Sequence, residues 1–296
     1  MAAELPDATR QVATWRLCAT TVRGPSHERT GQPNEDAVGG YAVGPHSQDT
    51  RLVALSDGHG ERAYFRSERG AAFAVEAGLA ASRHFLLNSP SLDLEAVRGW
   101  VAKVQPADVL QRWHALVAGD LAAEPFTSDE LGGSLDGGDA RMHGVALDPP
   151  RAYGATLVGT AVTEDSIVFY QLGDGDIVTV SVEGMVGHPL GEEAQAFSNV
   201  TSSLCDQDPL SKWRSVVQEQ SRHQTAFILL ATDGYSSAFE DRESFLSTVG
   251  ALAAVWRDGG PEKLRPTLDQ SVAKARTFTG DDTTVAVLYK VWEPAA

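Results

Sequence analysis

The sequence predicts a protein of the α+β class, with strands and helices both contributing to the core. Two observations carry this. Short apolar runs at residues 52–55, 166–172 and 226–231 stop at turns made of Asp and Gly, as strands do when they are buried on both faces. Residues 67–87, 92–121, 242–256 and 261–277 instead place apolar side chains at helical spacing, the mark of helices packed on a sheet. A chain of 296 residues can bury a large core, as one domain or two smaller ones.

Taken in order, residues 15–22 alternate polar and apolar and read as a strand. Residues 23–33 are rich in turn formers and read as a loop. Glu35 and Asp36 then stand at the entrance of a strand over 38–43. Neighbouring residues of a strand point to opposite faces, so one of the two at most is expected to reach a given site. After the strand that ends at Asp57-Gly58-His59-Gly60 comes the helix over 67–87, then one or two helices broken near Pro106. His84 and His114 fall in these helices as surface or packing residues. Residues 128–150 collect Gly, Asp, Ser and Pro and read as a mobile loop.

The second half begins with strands over 153–162 and 166–172, joined as a hairpin. Gly173-Asp174-Gly175-Asp176 reads as another hairpin turn into a strand over 177–182; it lacks the remaining ligands of a calcium loop. Residues 188–224 are irregular, with a possible helix over 213–220. The strand over 226–231 ends at Asp233-Gly234, and Asp281-Asp282 opens a closing strand.

The composition, 42% hydrophobic and 22% charged, is that of a globular chain. Residues 1–12 read as a flexible lead-in; residues 1–10 lack the apolar core of a signal peptide, and no run is long enough to cross a bilayer. Cys18 and Cys205 form no CxxC pair and read as reduced thiols, which points to the cytoplasm. A formal charge of −16 argues against nucleic acid or an anionic membrane as a partner.

Four strands therefore carry an acid at one end: Asp57, Asp174, Asp233 and Asp281. Carboxylates brought together repel and shift one another's protonation unless a cation lies between them. Oxygen ligands favour magnesium or manganese, with calcium as competitor, and the lack of a His or Cys cluster disfavours zinc.

Six segments in this order resemble the metal-dependent protein phosphatases of the PP2C (PPM) family, in their bacterial form: Asn34-Glu35-Asp36-Ala37, Ser56-Asp57-Gly58-His59, the Tyr153–Leu157 stretch, Gly173-Asp174-Gly175, Ala231-Thr232-Asp233-Gly234 and Gly280-Asp281-Asp282-Thr283-Thr284. Ser26-His27 and Gly31-Gln32-Pro33 precede the first of them. The resemblance implies one domain over 1–296 folded as a four-layer αββα sandwich of two mainly antiparallel sheets. It implies two Mn²⁺ or Mg²⁺ ions, with a third, weaker site. Asp57 would bridge the two ions, Gly58 would lend its carbonyl, Asp233 and Asp281 would hold the first ion, and Glu35 the second. Asp174 would serve the third, Asp36 and Asp282 would stand behind the ligands, and His59 would be the general acid.

The reaction so implied is hydrolysis of phosphoserine or phosphothreonine on a protein, reversing a serine/threonine kinase. A water activated between two cations attacks phosphorus in line, and a donor protonates the alkoxide that leaves. Neither cysteine sits in a Cys-x5-Arg loop. Two positions depart from the family pattern. Gly31 stands where a phosphate-binding arginine is usual, leaving His27, Arg29 or Arg23 as substitutes, and Asp176 stands where an arginine follows the Gly-Asp motif. Alternatives are a metal-dependent phosphatase of a non-protein phosphoester, or a binding module that keeps only the fold. Residues 128–150 and 188–224 are candidate substrate contacts, and the oligomeric state is open.

Overall fold

The computed structural model describes residues 11–42, 50–131, 140–191 and 201–294. Two five-stranded sheets, antiparallel throughout, lie face to face. One runs β1 (Gln11–Val22), β10 (Thr283–Pro294), β9 (Thr225–Ala231), β6 (Asp176–Ser181), β7 (Val186–Gly187). The other runs β2 (Ala37–Ala42), β3 (Thr50–Ser56), β4 (Leu157–Val162), β5 (Ser166–Leu172), β8 (Arg214–Glu219).

Strand periodicity divides the core into three apolar layers. Leu52 and Ala54 of β3 face α2 (Ser67–Asn88), α3 (Leu94–Lys103) and α4 (Gln105–Ala123), while their neighbours Val53 and Leu55 meet Ile228, Leu230, Ala286 and Leu288 of the opposite sheet. Phe227 and Leu229 of β9 turn the other way, onto α8 (Arg242–Thr279). Each central strand is covered on both sides, so its residues are uniformly apolar although the sheets are antiparallel. The result is the αββα sandwich, and among the described residues no helix is long and apolar enough to cross a membrane.

Most elements fall where sequence periodicity places them; six differ. Residues 23–33 contain a short helix, α1 (Pro25–Thr30), stopped by Gly31 at φ 80°. Residues 213–220 form edge strand β8, not a helix, because β5 offers Val168 and Phe169 as partners for the β-branched Val217 and Val216. The run over 153–162 becomes a strand only at Leu157, after a 3₁₀ turn over Pro149–Tyr153. The stretch 128–150 includes α5 (Ala140–Leu147) and that turn, while residues 132–139 lie outside the described residues. Residues 1–10 of the lead-in also lie outside them, and Gln11 and Val12 already belong to β1.

The sixth difference positions the site. Gly173–Gly175 is not a hairpin turn: β5 and β6 belong to different sheets, and the segment crosses between them. Short helices α6 (Gln220–His223) and α7 (Asp233–Ser236) flank β9, and α8 is two arms broken at Gly260 (φ 72°, ψ −175°), before Pro261. Register then sets the acids together. Ala231 lies opposite both Val285 and Asp176, so Asp233, Asp281 and Asp174 leave the first sheet at the same end. Ser56 lies opposite Ala37, which brings Asp57 beside Glu35 and Asp36 in the second.

Candidate metal centre

The turn after β3 is clamped from both sides. Asp57 N donates to Thr156 Oγ1 (3.0 Å), Thr156 N returns a bond to Asp57 O (2.8 Å), and His59 N donates to Gly154 O (3.1 Å). Gly58 N donates to Glu35 O (3.1 Å), and a Cβ at Gly58 would lie 2.8 Å from Ser67 O and 2.9 Å from Glu35 O. Only glycine fits there. Gly234 is equally confined, its virtual Cβ 2.0 Å from Asp282 O, so the Asp233 turn and the Asp281–Asp282 turn touch backbone to backbone.

The structure brings every predicted acid to this end of the sandwich. The Asp57 and Asp233 carboxyls adjoin each other, and Asp36, Asp233 and Asp281 all bear electrostatically on Asp57. Burial, then the neighbouring carboxylates, push Asp57 well above the usual carboxylate range. Burial is also the main cause at Glu35, raised to about 7, and at Asp36, raised to about 8; Asp233 and Asp281 shift up for the same reason. Burial disfavours the charged form of each carboxyl, and the neighbouring acids add to it. Asp174 is held by Thr201 Oγ1.

Glu35 and Asp36 precede the strand they were expected to open. Strand β2 starts only at Ala37, so the alternation does not yet apply. Glu35 is 7% exposed with Oε2 unpartnered, while Asp36 accepts from Thr232 Oγ1 (2.8 Å) and leaves Oδ1 buried and unpartnered. Asp282 stands behind them, accepting from Gly24 N and Glu35 N (2.6 Å each) and bonded to His27 Nδ1 (2.9 Å).

These residues fit divalent cations. Two buried carboxylate oxygens without a partner and a carboxyl–carboxyl contact are what a hard cation would satisfy. Among the described residues no three His, Cys, Asp or Glu side chains close a ready-made cage; magnesium-type sites keep several waters and take one or two carboxylates each.

Around this centre, His59 lies against Tyr64, ring centres 4.8 Å apart and planes tilted by 60°. Burial lowers the His59 pKa, opposed by Asp174, Asp206 and Glu61. Arg29 lies on an exposed face, bonded to Ser26 Oγ (3.2 Å), and Arg23 Nη2 donates to His27 O (2.7 Å). Asp176 adds no free negative charge, because Arg242 Nη1 bonds its Oδ1. Arg242 lines a cleft of about 400 Å³ that opens from Asp174 and Asp233. Sequence reasoning missed Thr156, Thr232, Tyr64 and Arg242. Thr232 adjoins Asp233 and was within reach of a motif reading; Arg242 is signalled by nothing local.

The description "Protein phosphatase 2C" belongs to the family model that matches residues 23–272. No curated protein matches. Among solved structures, the chain is similar to the catalytic domain of the serine/threonine phosphatase PstP in complex with two manganese ions (19% identity, 95% of this chain and 100% of that chain, TM-score 0.57). It is also similar to PppA of Pseudomonas aeruginosa (15%, 95% and 100%, TM-score 0.55) and to Stp1 of Staphylococcus aureus (14%, 98% and 99%, TM-score 0.56). At these identities the likeness is one of fold.

Proposed function

The chain belongs to the protein phosphatase 2C family, and from that premise we propose that its acid cluster is the centre at which phosphoserine or phosphothreonine of a protein is hydrolysed. Asp57 would serve both cations, Asp233 and Asp281 would hold one of them, Glu35 and the Gly58 carbonyl the other, and Asp174 a weaker third. Manganese or magnesium, when bound, supplies an activated water and offsets phosphoryl charge. The observation that carries this is the pair of buried, unpartnered oxygens, Glu35 Oε2 and Asp36 Oδ1, at the end of the sandwich where the Asp57 and Asp233 carboxyls adjoin.

The chain's own residues do the rest. Asp36, anchored by Thr232, and Asp282, anchored by Gly24 and Glu35, hold the ligand carboxylates in place. His59 is the group that protonates the departing serine or threonine oxygen, a poor leaving group; its backbone bond to Gly154 and its contact with Tyr64 support this reading. We assign the whole chain to one catalytic unit. A serine/threonine kinase supplies its substrate, and Cys18 and Cys205, both unpaired, favour a cytoplasmic location.

The test is hydrolysis of a phosphothreonine peptide and of p-nitrophenyl phosphate, with and without manganese, by wild type, Asp57→Asn and Asp233→Asn. Manganese-dependent release from the peptide, lost in both variants, is expected. Turnover of the small ester alone would move the substrate to another phosphoester class. Metal binding without turnover of either would leave a binding module.

A further inference from the structure

His27 is placed as a ligand is placed. The Asp282 carboxylate, 4% exposed, accepts a backbone N–H on each of its oxygens, at 2.6 Å each. Its remaining bond, 2.9 Å to His27 Nδ1, is therefore donated by the ring. In the neutral imidazole this fixes the proton on Nδ1 and leaves Nε2 as the bare nitrogen. A carboxylate behind one ring nitrogen is the usual support of a metal-bound histidine.

What Nε2 faces completes the picture. It lies 3.9 Å from Glu35 Oε2, too far for a hydrogen bond, and that oxygen is buried without a partner. Two bonds of about 2.1 Å each span up to about 4.2 Å, so one ion reaches both atoms. Gly60 runs beside the pair: a Cβ there would make ordinary contact, 3.5 Å from Glu35 Oε2 and 3.8 Å from His27 Nε2.

We propose that His27 Nε2 and Glu35 Oε2 share the divalent cation on the Glu35 side of the centre, with Asp282 as the positioning residue for the imidazole. The inference rests on the metal-centre reading above and adds a nitrogen to an otherwise all-oxygen ligand set. Magnesium takes oxygen ligands, whereas imidazole favours first-row transition ions. The Glu35-side ion is accordingly a transition metal, with manganese as the probe.

The experiment is electron spin-echo spectroscopy of Mn²⁺ bound to the full chain, with calorimetric titration of Mn²⁺ and Mg²⁺. The wild type is expected to show the ¹⁴N coupling of a directly bound imidazole. His27→Ala loses it and weakens one manganese site about tenfold to a hundredfold, while magnesium binding changes little. His27→Gln, which keeps a polar side chain on the same short helix, guards against misfolding and should lose the coupling too. Asp282→Asn retains the ring and is expected to weaken manganese about tenfold. Manganese bound by the wild type without ¹⁴N coupling overturns the inference and leaves the metal centre standing. Unchanged manganese affinity in His27→Ala with weaker inhibition by inorganic phosphate also overturns it and moves the ring to the phosphate. No manganese binding by the wild type overturns the metal centre itself.

Discussion

The rings of Tyr64 and His59 meet 4.8 Å apart at 60°, and Gly154 passes close to both. A Cβ at Gly154 would stand 2.4 Å from Tyr64 Cδ1 and 2.8 Å from His59 Cδ2. The glycine is required by space, since its φ of −50° and ψ of 128° are open to other residues. Gly154→Ala therefore pushes the histidine off its position while leaving the acids in place. Turnover of a phosphothreonine peptide is expected to fall about tenfold to a hundredfold, the scale of a misplaced general acid. p-Nitrophenyl phosphate, whose leaving group needs little protonation, should fall much less. Equal losses on both substrates would show that the metal centre had been disturbed instead.

Asp176 and Arg242 pair across the mouth of the neighbouring cleft, and their burial is unequal: the Asp176 side chain is 3% exposed and that of Arg242 is 32%. Removing the arginine strands a buried carboxylate, at a cost of about 3–5 kcal/mol. Removing the aspartate frees an arginine that can turn to water, at about 1–2 kcal/mol. Urea denaturation should rank Arg242→Met well below Asp176→Asn in stability. The reverse order would mean that Arg242 is held chiefly by His188 and Phe245, its other contacts.

The same pair marks the boundary of what the sequence discloses. Asp57, Asp174, Asp233 and Asp281 were legible because each punctuates an apolar strand with a turn residue, a local pattern. The sandwich was not legible from periodicity. Strands such as Leu52–Leu55 are covered on both faces, and the alternation that would separate a helix-facing from a sheet-facing side is invisible when both sides are apolar. The sheet change at Gly173–Gly175 is likewise a matter of pairing at a distance, as is strand β8, whose partner precedes it by dozens of residues. Arg242 reaches Asp176 from the first turn of α8, 66 positions away in sequence. No local signal announces such a partner.

Arg66 anchors the segment after α4 onto the 3₁₀ turn that precedes Gly154. Its side chain is 3% exposed, with Nε donating to Glu130 Oε1 (2.8 Å) and Nη1 to Tyr153 Oη (2.8 Å). The hydrogen bond from Arg66 holds Glu130 down to about 2. A carboxylate depressed in the folded state contributes stability above its unfolded value of roughly 4.3, and that contribution is lost as pH falls through the folded value. The stability difference between wild type and Glu130→Gln, from urea midpoints, should be constant from pH 7 to pH 5. It should then shrink as the pH falls below about 4.5. A difference that grows on acidification would contradict the Arg66 clamp.

The metal centre obeys the opposite sign. Burial raises Glu35 to about 7 and Asp36 to about 8, with Asp57, Asp233 and Asp281 also above the ordinary range. An acid raised in the folded state binds more protons there than in the unfolded chain, so stability is greatest below the unfolded pKa. It declines as pH climbs from roughly 4 through the folded values. Stripped of metal by EDTA, the protein should lose several degrees of melting temperature between pH 5.5 and 8.5. Manganese takes the place of those protons and binds the folded chain alone, so its stabilisation should be largest at pH 8.5 and weakest at pH 5.5. Asp36→Asn removes one raised acid and should flatten the metal-free slope. Differential scanning fluorimetry across that range, with and without manganese, reads all three outcomes. A metal-free melting temperature that rises with pH would mean that the carboxyls are not buried together in solution as they are here.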